Sequence, residues 1–74
     1  MMTDADKNEL VDLVKAGIAE RKADGYGADM VNMGMMSVAH DLILFDAKIE
    51  LFAHNHGKRE TTRVIVDFLR ANGV

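Results

Sequence analysis

The 74-residue sequence contains no cysteine, no proline and no tryptophan, and its only aromatic residues are three phenylalanines and one tyrosine. The absence of cysteine excludes disulfides, thiol catalysis and zinc ribbons. Without proline, and with few aromatic strand formers, the composition favours helix over strand. No apolar run approaches the roughly 18 residues of a membrane span, and the acidic start does not resemble a signal peptide. We therefore expect no membrane segment and a cytoplasmic location.

The length and charge limit what the chain can be. Seventy-four residues allow one small domain. Because a domain of this size buries only about 60% of its unfolded surface, a lone protomer is expected to be marginally stable. The net charge of −3 disfavours nonspecific binding to nucleic acid or anionic membranes.

Capping and glycine residues divide the chain into three predicted helices. Thr3 is a candidate N-cap with Asp6 three residues on. A glycine-rich break at 24–27 ends the first helix, and residues 55–57 separate the second from the third. The sequence thus predicts an all-α, three-helix domain with a long central helix, with helices at about 4–24, 28–54 and 58–71.

The second predicted helix carries an unbroken heptad stripe, with apolar residues spaced alternately by four and three. We expect this stripe to form the intramolecular core with apolar residues of the other two helices. On this assignment Phe45→Ala would cost about 3–5 kcal/mol. The stripe comprises Val31, Met35, Val38, Leu42, Phe45, Ile49 and Phe52, and its expected partners are Leu10, Val14, Ile18, Ile65, Phe68 and Leu69.

A second apolar stripe lies roughly opposite the first on the same predicted helix. Since a helix over 28–54 would span roughly 40 Å, more than a compact domain of this size, a second chain is expected to cover it. The predicted assembly is a homodimeric helical bundle, with the two long helices antiparallel about Ala47. A rival interpretation breaks the helix at Gly34 and gives a monomeric four-helix domain. The predicted dimer interface is Met33, Met36, His40, Ile43, Leu44, Ala47, Leu51 and His54.

Charged residues suggest two further contact surfaces. Arg59, Arg63 and Arg70 align on one side of the third predicted helix and could bind phosphates or carboxylates. Their interleaving with Glu60 and Asp67 is more typical of a solvated surface with ion pairs. A dimeric nucleic-acid-binding regulator is therefore the alternative function rather than the favoured one. A possible acidic face for a protein partner consists of Asp4, Asp6, Glu9 and Asp12.

Catalytic and metal-binding patterns are weak. Ser37 and His40 lie at i and i+3, but no carboxylate is in register to orient the histidine. A ladder of Asp46, Glu50 and His54 lies on one helix only, whereas bundle metal sites draw ligands from several helices. We predict no catalytic, cofactor or metal site, and a metal-binding bundle is the weakest alternative. The favoured function is that of a small non-catalytic adaptor, regulator or inhibitor that binds a larger protein.

Overall fold

The structure is a computed structural model that describes residues 2–23, 25 and 34–72. In these residues the chain forms four helices and no strand: α1 Asp4–Ala23, α2 Met35–Phe45, α3 Ala47–His56 and α4 Lys58–Ala71. The all-α prediction is confirmed. The first and third predicted helices correspond to α1 and α4.

The prediction of one long central helix, and with it of a three-helix domain, is wrong. The helix is interrupted at Asp46, whose backbone is extended with φ −109° and ψ 111°. The Asp46 carboxylate accepts hydrogen bonds from the backbone N–H groups of Lys48, at 3.1 Å, and Ile49, at 3.2 Å. These are the N-cap bonds that begin a new helix. A helix also begins directly after Gly34, but the predicted segment before it, 28–33, lies outside the described residues.

One hydrophobic core joins the four helices, and α4 packs against each of the other three. The expected partners from α1 and α4 are confirmed, with Phe68 partly buried at the edge of the core. Met2 is an addition that the periodicity does not predict. The core contains Met2, Leu10, Val14, Ile18, Val38, Ala39, Leu42, Ile43, Ile49, Phe52, Ala53, Ile65, Val66 and Leu69.

Phe45 is the member of the heptad stripe that the structure places outside the core. Its side chain is 74% exposed, whereas Leu42 and Ile49 are fully buried. Heptad spacing puts these three residues on one face only in a continuous helix. Because the extended residue 46 separates α2 from α3, Phe45 projects to the surface. Val31 lies outside the described residues.

The N-terminus of α1 has the predicted cap. The Asp6 backbone N–H donates to Thr3 Oγ1 at 3.1 Å, and the Thr3 backbone N–H donates to Asp6 Oδ2 at 3.0 Å. This reciprocal pair satisfies two backbone donors that the helix would otherwise leave free. The hydrogen bond from the Thr3 backbone N–H, and after it an interaction with the Thr3 hydroxyl, lower the pKa of the Asp6 carboxyl, and the nearby charge of His56 adds a smaller effect in the same direction.

Two glycines lie where a side chain would be disfavoured, one in a turn and one at a close contact between helices. Gly57, the single residue between α3 and α4, has φ +95°, a left-handed conformation that side chains disfavour. Gly17 lies where α1 passes the interruption: a Cβ there would be 2.9 Å from Asp46 Oδ2 and 3.2 Å from Leu42 Cδ2. Arg21, one turn along α1, donates through Nε to Asp41 Oδ2 of α2 at 3.1 Å. The α1 helix thus lies directly against the Asp46 corner.

Leu42 and Phe45 differ in burial, so replacing each with alanine should lower the free energy of unfolding by different amounts. We expect Leu42→Ala to lower the free energy of unfolding by about 2–5 kcal/mol, because it opens a cavity in the core. In dilute, monomeric protein Phe45→Ala should change it by less than about 1 kcal/mol, since the residue is 74% exposed in the single chain. Urea denaturation measures both values, and a larger loss for Phe45→Ala than for Leu42→Ala would contradict the assignment.

The cap at Asp46 predicts a second stability difference. Asp46→Ala removes both cap hydrogen bonds and should cost about 1 kcal/mol, within the usual range for N-cap removal. Asp46→Asn is the matched control, because its side-chain oxygen keeps the acceptor and should preserve most of the stability. Equal thermal unfolding midpoints for the two variants would show that the side chain does not act as a cap.

Candidate functional site

A concave surface lies between α2 and α4 and is termed here the basic groove. Its volume is about 730 Å³ and its lining is mainly apolar. Ile43 and Val66 form a buried floor, and Met36 lies beside them with 53% of its surface exposed. Leu44 also lines the groove, and its polar residues are His40, Lys58, Arg59, Thr62, Arg63, Asp67 and Arg70.

A second surface, termed here the corner patch, surrounds the interruption between α2 and α3. Leu44, Phe45 and Leu51 are 61%, 74% and 60% exposed. Ala47 joins them, since it lines one groove with Leu44 and Leu51 and a neighbouring groove with Phe45. The four apolar residues thus lie around one corner of the chain, and Leu44 also lines the basic groove.

The interruption at Asp46 brings these residues together. In a helix that continued straight from His40, residue 58 would lie roughly 27 Å further along the axis. Here His40 and Lys58 line one groove. The chain therefore changes direction between them, at the extended residue 46 and again at Gly57, so that α4 packs against α2.

Cations dominate the rim of the basic groove. Lys58, Arg59, Arg63 and Arg70 are all exposed, and Asp67 is the one carboxylate among the lining residues. Among the described residues, Arg21 and Asp41 form the one ion pair with an N–O distance within 4.0 Å, and neither residue lines the groove. The ion pairs expected along the third predicted helix are thus not formed. Instead, Glu60 accepts a hydrogen bond from the Met2 backbone N–H at 3.4 Å.

The structure describes seven of the eight residues of the predicted dimer interface. Met33 lies outside the described residues, and the other seven all line the basic groove or the groove next to it. Ile43 among them is a buried core residue rather than an exposed one. The antiparallel pairing of two long helices about Ala47 is wrong as a geometry, because it requires a straight helix through Asp46. Whether the surface pairs with a second chain stays a prediction.

The acidic and metal-ligand patterns do not converge on a site. Asp46 of the predicted ladder uses its carboxylate as a helix cap, where it accepts hydrogen bonds from the backbone N–H groups of Lys48 and Ile49. In the part of the chain that the structure describes, no three His, Cys, Asp or Glu residues are grouped so as to hold a metal ion. On α1, Asp4, Glu9 and Asp12 are exposed, while Asp6 is engaged with Thr3.

Sequence reasoning missed the place of Phe45 in the corner patch and the contributions of Lys58 and Val66 to the basic groove. The available signal was Asp46 itself, an N-cap residue type inside an otherwise apolar-periodic segment. If Asp46 is interpreted as an N-cap, the central helix is predicted to bend there. The predicted dimer interface and the arginines of the third predicted helix are then expected to lie side by side.

Comparison with known proteins adds no relative: the chain matches no protein-family model, no curated protein and no solved structure. Among the helices described, none combines the length and apolar character needed to cross a membrane. The site must therefore be interpreted from its own geometry.

Proposed function

We propose that this chain is a non-catalytic protein-binding module that forms a homodimer through the corner patch. The observation that carries the proposal is the grouping of Leu44, Phe45 and Leu51, all at least 60% exposed, around one bend of the backbone. Scattered apolar side chains are normal on protein surfaces, whereas contiguous apolar patches mark interaction sites. An adaptor, regulator or inhibitor acts through such a surface.

A second copy of the chain suits this patch for two reasons. Ala47, which joins the patch, is small and lets two copies approach closely if a two-fold axis passes nearby. A domain of this size also gains from burial that its own core cannot supply. The apolar side chains on either side of Ala47 would then meet their counterparts across the axis. The cytoplasmic location expected from the sequence stays a prediction.

A charge placed in the patch tests the dimer. Wild-type protein should be dimeric at high micromolar concentration in sedimentation or light-scattering measurements, and Ala47→Glu should give folded monomers. A carboxylate buried near its counterpart disfavours association. Ala47 is the first residue of α3, where a negative charge is compatible with the helix dipole, so the fold should be preserved.

Ala19→Glu provides the matched control, because Ala19 is exposed on α1, away from the patch. This variant should associate like the wild type. A wild type that stays monomeric at high micromolar concentration, or an Ala47→Glu dimer of undiminished affinity, would refute the proposal.

Nucleic-acid binding through Arg59, Arg63 and Arg70 has one observation in its favour, which is that all three line one groove. The apolar floor of that groove and the carboxylate of Asp67 favour a protein ligand instead. We therefore keep nucleic-acid binding as the second candidate function. Its signature would be an affinity that falls steeply with salt concentration.

A further inference from the structure

We infer that the basic groove between α2 and α4 binds an acidic amphipathic helix of a partner protein. The inference rests on the proposed function, that of a protein-binding module, and it specifies the chemistry of the partner. Apolar side chains of the incoming helix would contact the groove floor, and its carboxylates would contact the cations on the rim.

Charge complementarity is the first argument. Four cations, Lys58, Arg59, Arg63 and Arg70, line the groove with a single carboxylate, Asp67. Within the described residues none of the four has a carboxylate within 4.0 Å. The positive charge of the rim is therefore not neutralised by the described parts of the chain, although its net charge is −3. Complementary charge gives an interface its specificity and its association rate.

The shape of the groove is the second argument. Its walls are two helices, α2 and α4, and its floor contains Ile43 and Val66 with the exposed Met36 alongside. A third helix packs naturally between two others when it presents apolar residues at successive turns. Methionine suits such a surface, since its flexible side chain adapts to different partners.

Two other ligand classes fit these features less well. Single-stranded nucleic acid is bound by cations together with exposed aromatic rings on which bases stack, and the described residues that line this groove include no phenylalanine or tyrosine. A membrane surface would need apolar residues that project beyond the cations. Here two of the four apolar residues that line the groove, Ile43 and Val66, are buried, and Met36 and Leu44 are exposed.

Fluorescence anisotropy with labelled model peptides tests the inference. The probe is a helix of about 20 residues, long enough to fold, with Leu at the heptad a and d positions and Glu at most others. The comparison peptide keeps the Leu residues and replaces each Glu with Lys. We expect the acidic peptide to bind at least about tenfold more tightly than the basic one, with the difference shrinking at higher salt.

Two variants locate the binding site. Arg63→Glu should weaken the acidic peptide at least about tenfold, because it replaces an attraction with a repulsion. Lys15→Glu makes the same charge change at an exposed position of α1 outside the groove and should alter affinity less than about twofold. Both variants should keep the wild-type unfolding midpoint, since the altered side chains are exposed.

Several outcomes would overturn the inference: no binding of the acidic peptide, equal binding of both peptides, or equal effects of the two variants. Tighter binding to a DNA oligonucleotide or to phosphatidylserine vesicles would overturn it as well. Equal binding of both peptides would leave the proposed function in place, because the chain would still bind protein helices. The proposed homodimer is tested separately, by comparing the self-association of Ala47→Glu with that of Ala19→Glu.

Discussion

The cap that Asp46 places on α3 is the interaction on which the rest of this structure depends. Two backbone N–H groups donate to its carboxylate, and its extended backbone ends α2 and begins α3 within one residue. Gly17 lets α1 lie against this corner, because any larger residue would meet the carboxylate and Leu42. The corner is thus fixed by a hydrogen-bonded cap on one side and by close packing on the other.

Everything proposed for the surface follows from that bend. The bend at Asp46 and the turn at Gly57 together pack α4 against α2 and α3. Three arginines then lie beside an apolar floor. The bend also leaves Leu44, Phe45 and Leu51 around the corner, where no described helix covers them. The corner patch and the basic groove therefore share one structural cause.

Much of the fold was predictable from periodicity and caps. The spacing of Leu10, Val14 and Ile18 identifies the buried face of α1, and the reciprocal cap of Thr3 with Asp6 gives its start. These signals are local, and the structure does not override them. The same is true of α4, whose apolar and basic residues separate cleanly onto two faces.

The bend was not predictable in the same way. A capping box has Glu or Gln three residues after the cap, and here that position is Ile49. Asp46 therefore looked like one more polar residue on a helix whose heptad spacing continues through it. The contact of Gly17 with Asp46 that stabilises the corner joins residues far apart in sequence, so no local pattern reveals it. The same holds for the candidate site. Most of its residues were identified from the sequence, but not that the chain brings them close together.

The distance between residues 36 and 54 tests the bend most directly. Because the chain lacks cysteine, spin labels on Met36→Cys and His54→Cys, both exposed positions, would report this distance in pulsed electron resonance when the labelled chain is diluted with excess unlabelled protein. A continuous helix would separate the two α-carbons by about 27 Å. A bend at Asp46 predicts a clearly shorter distance, and a measured separation near 27 Å would contradict the account.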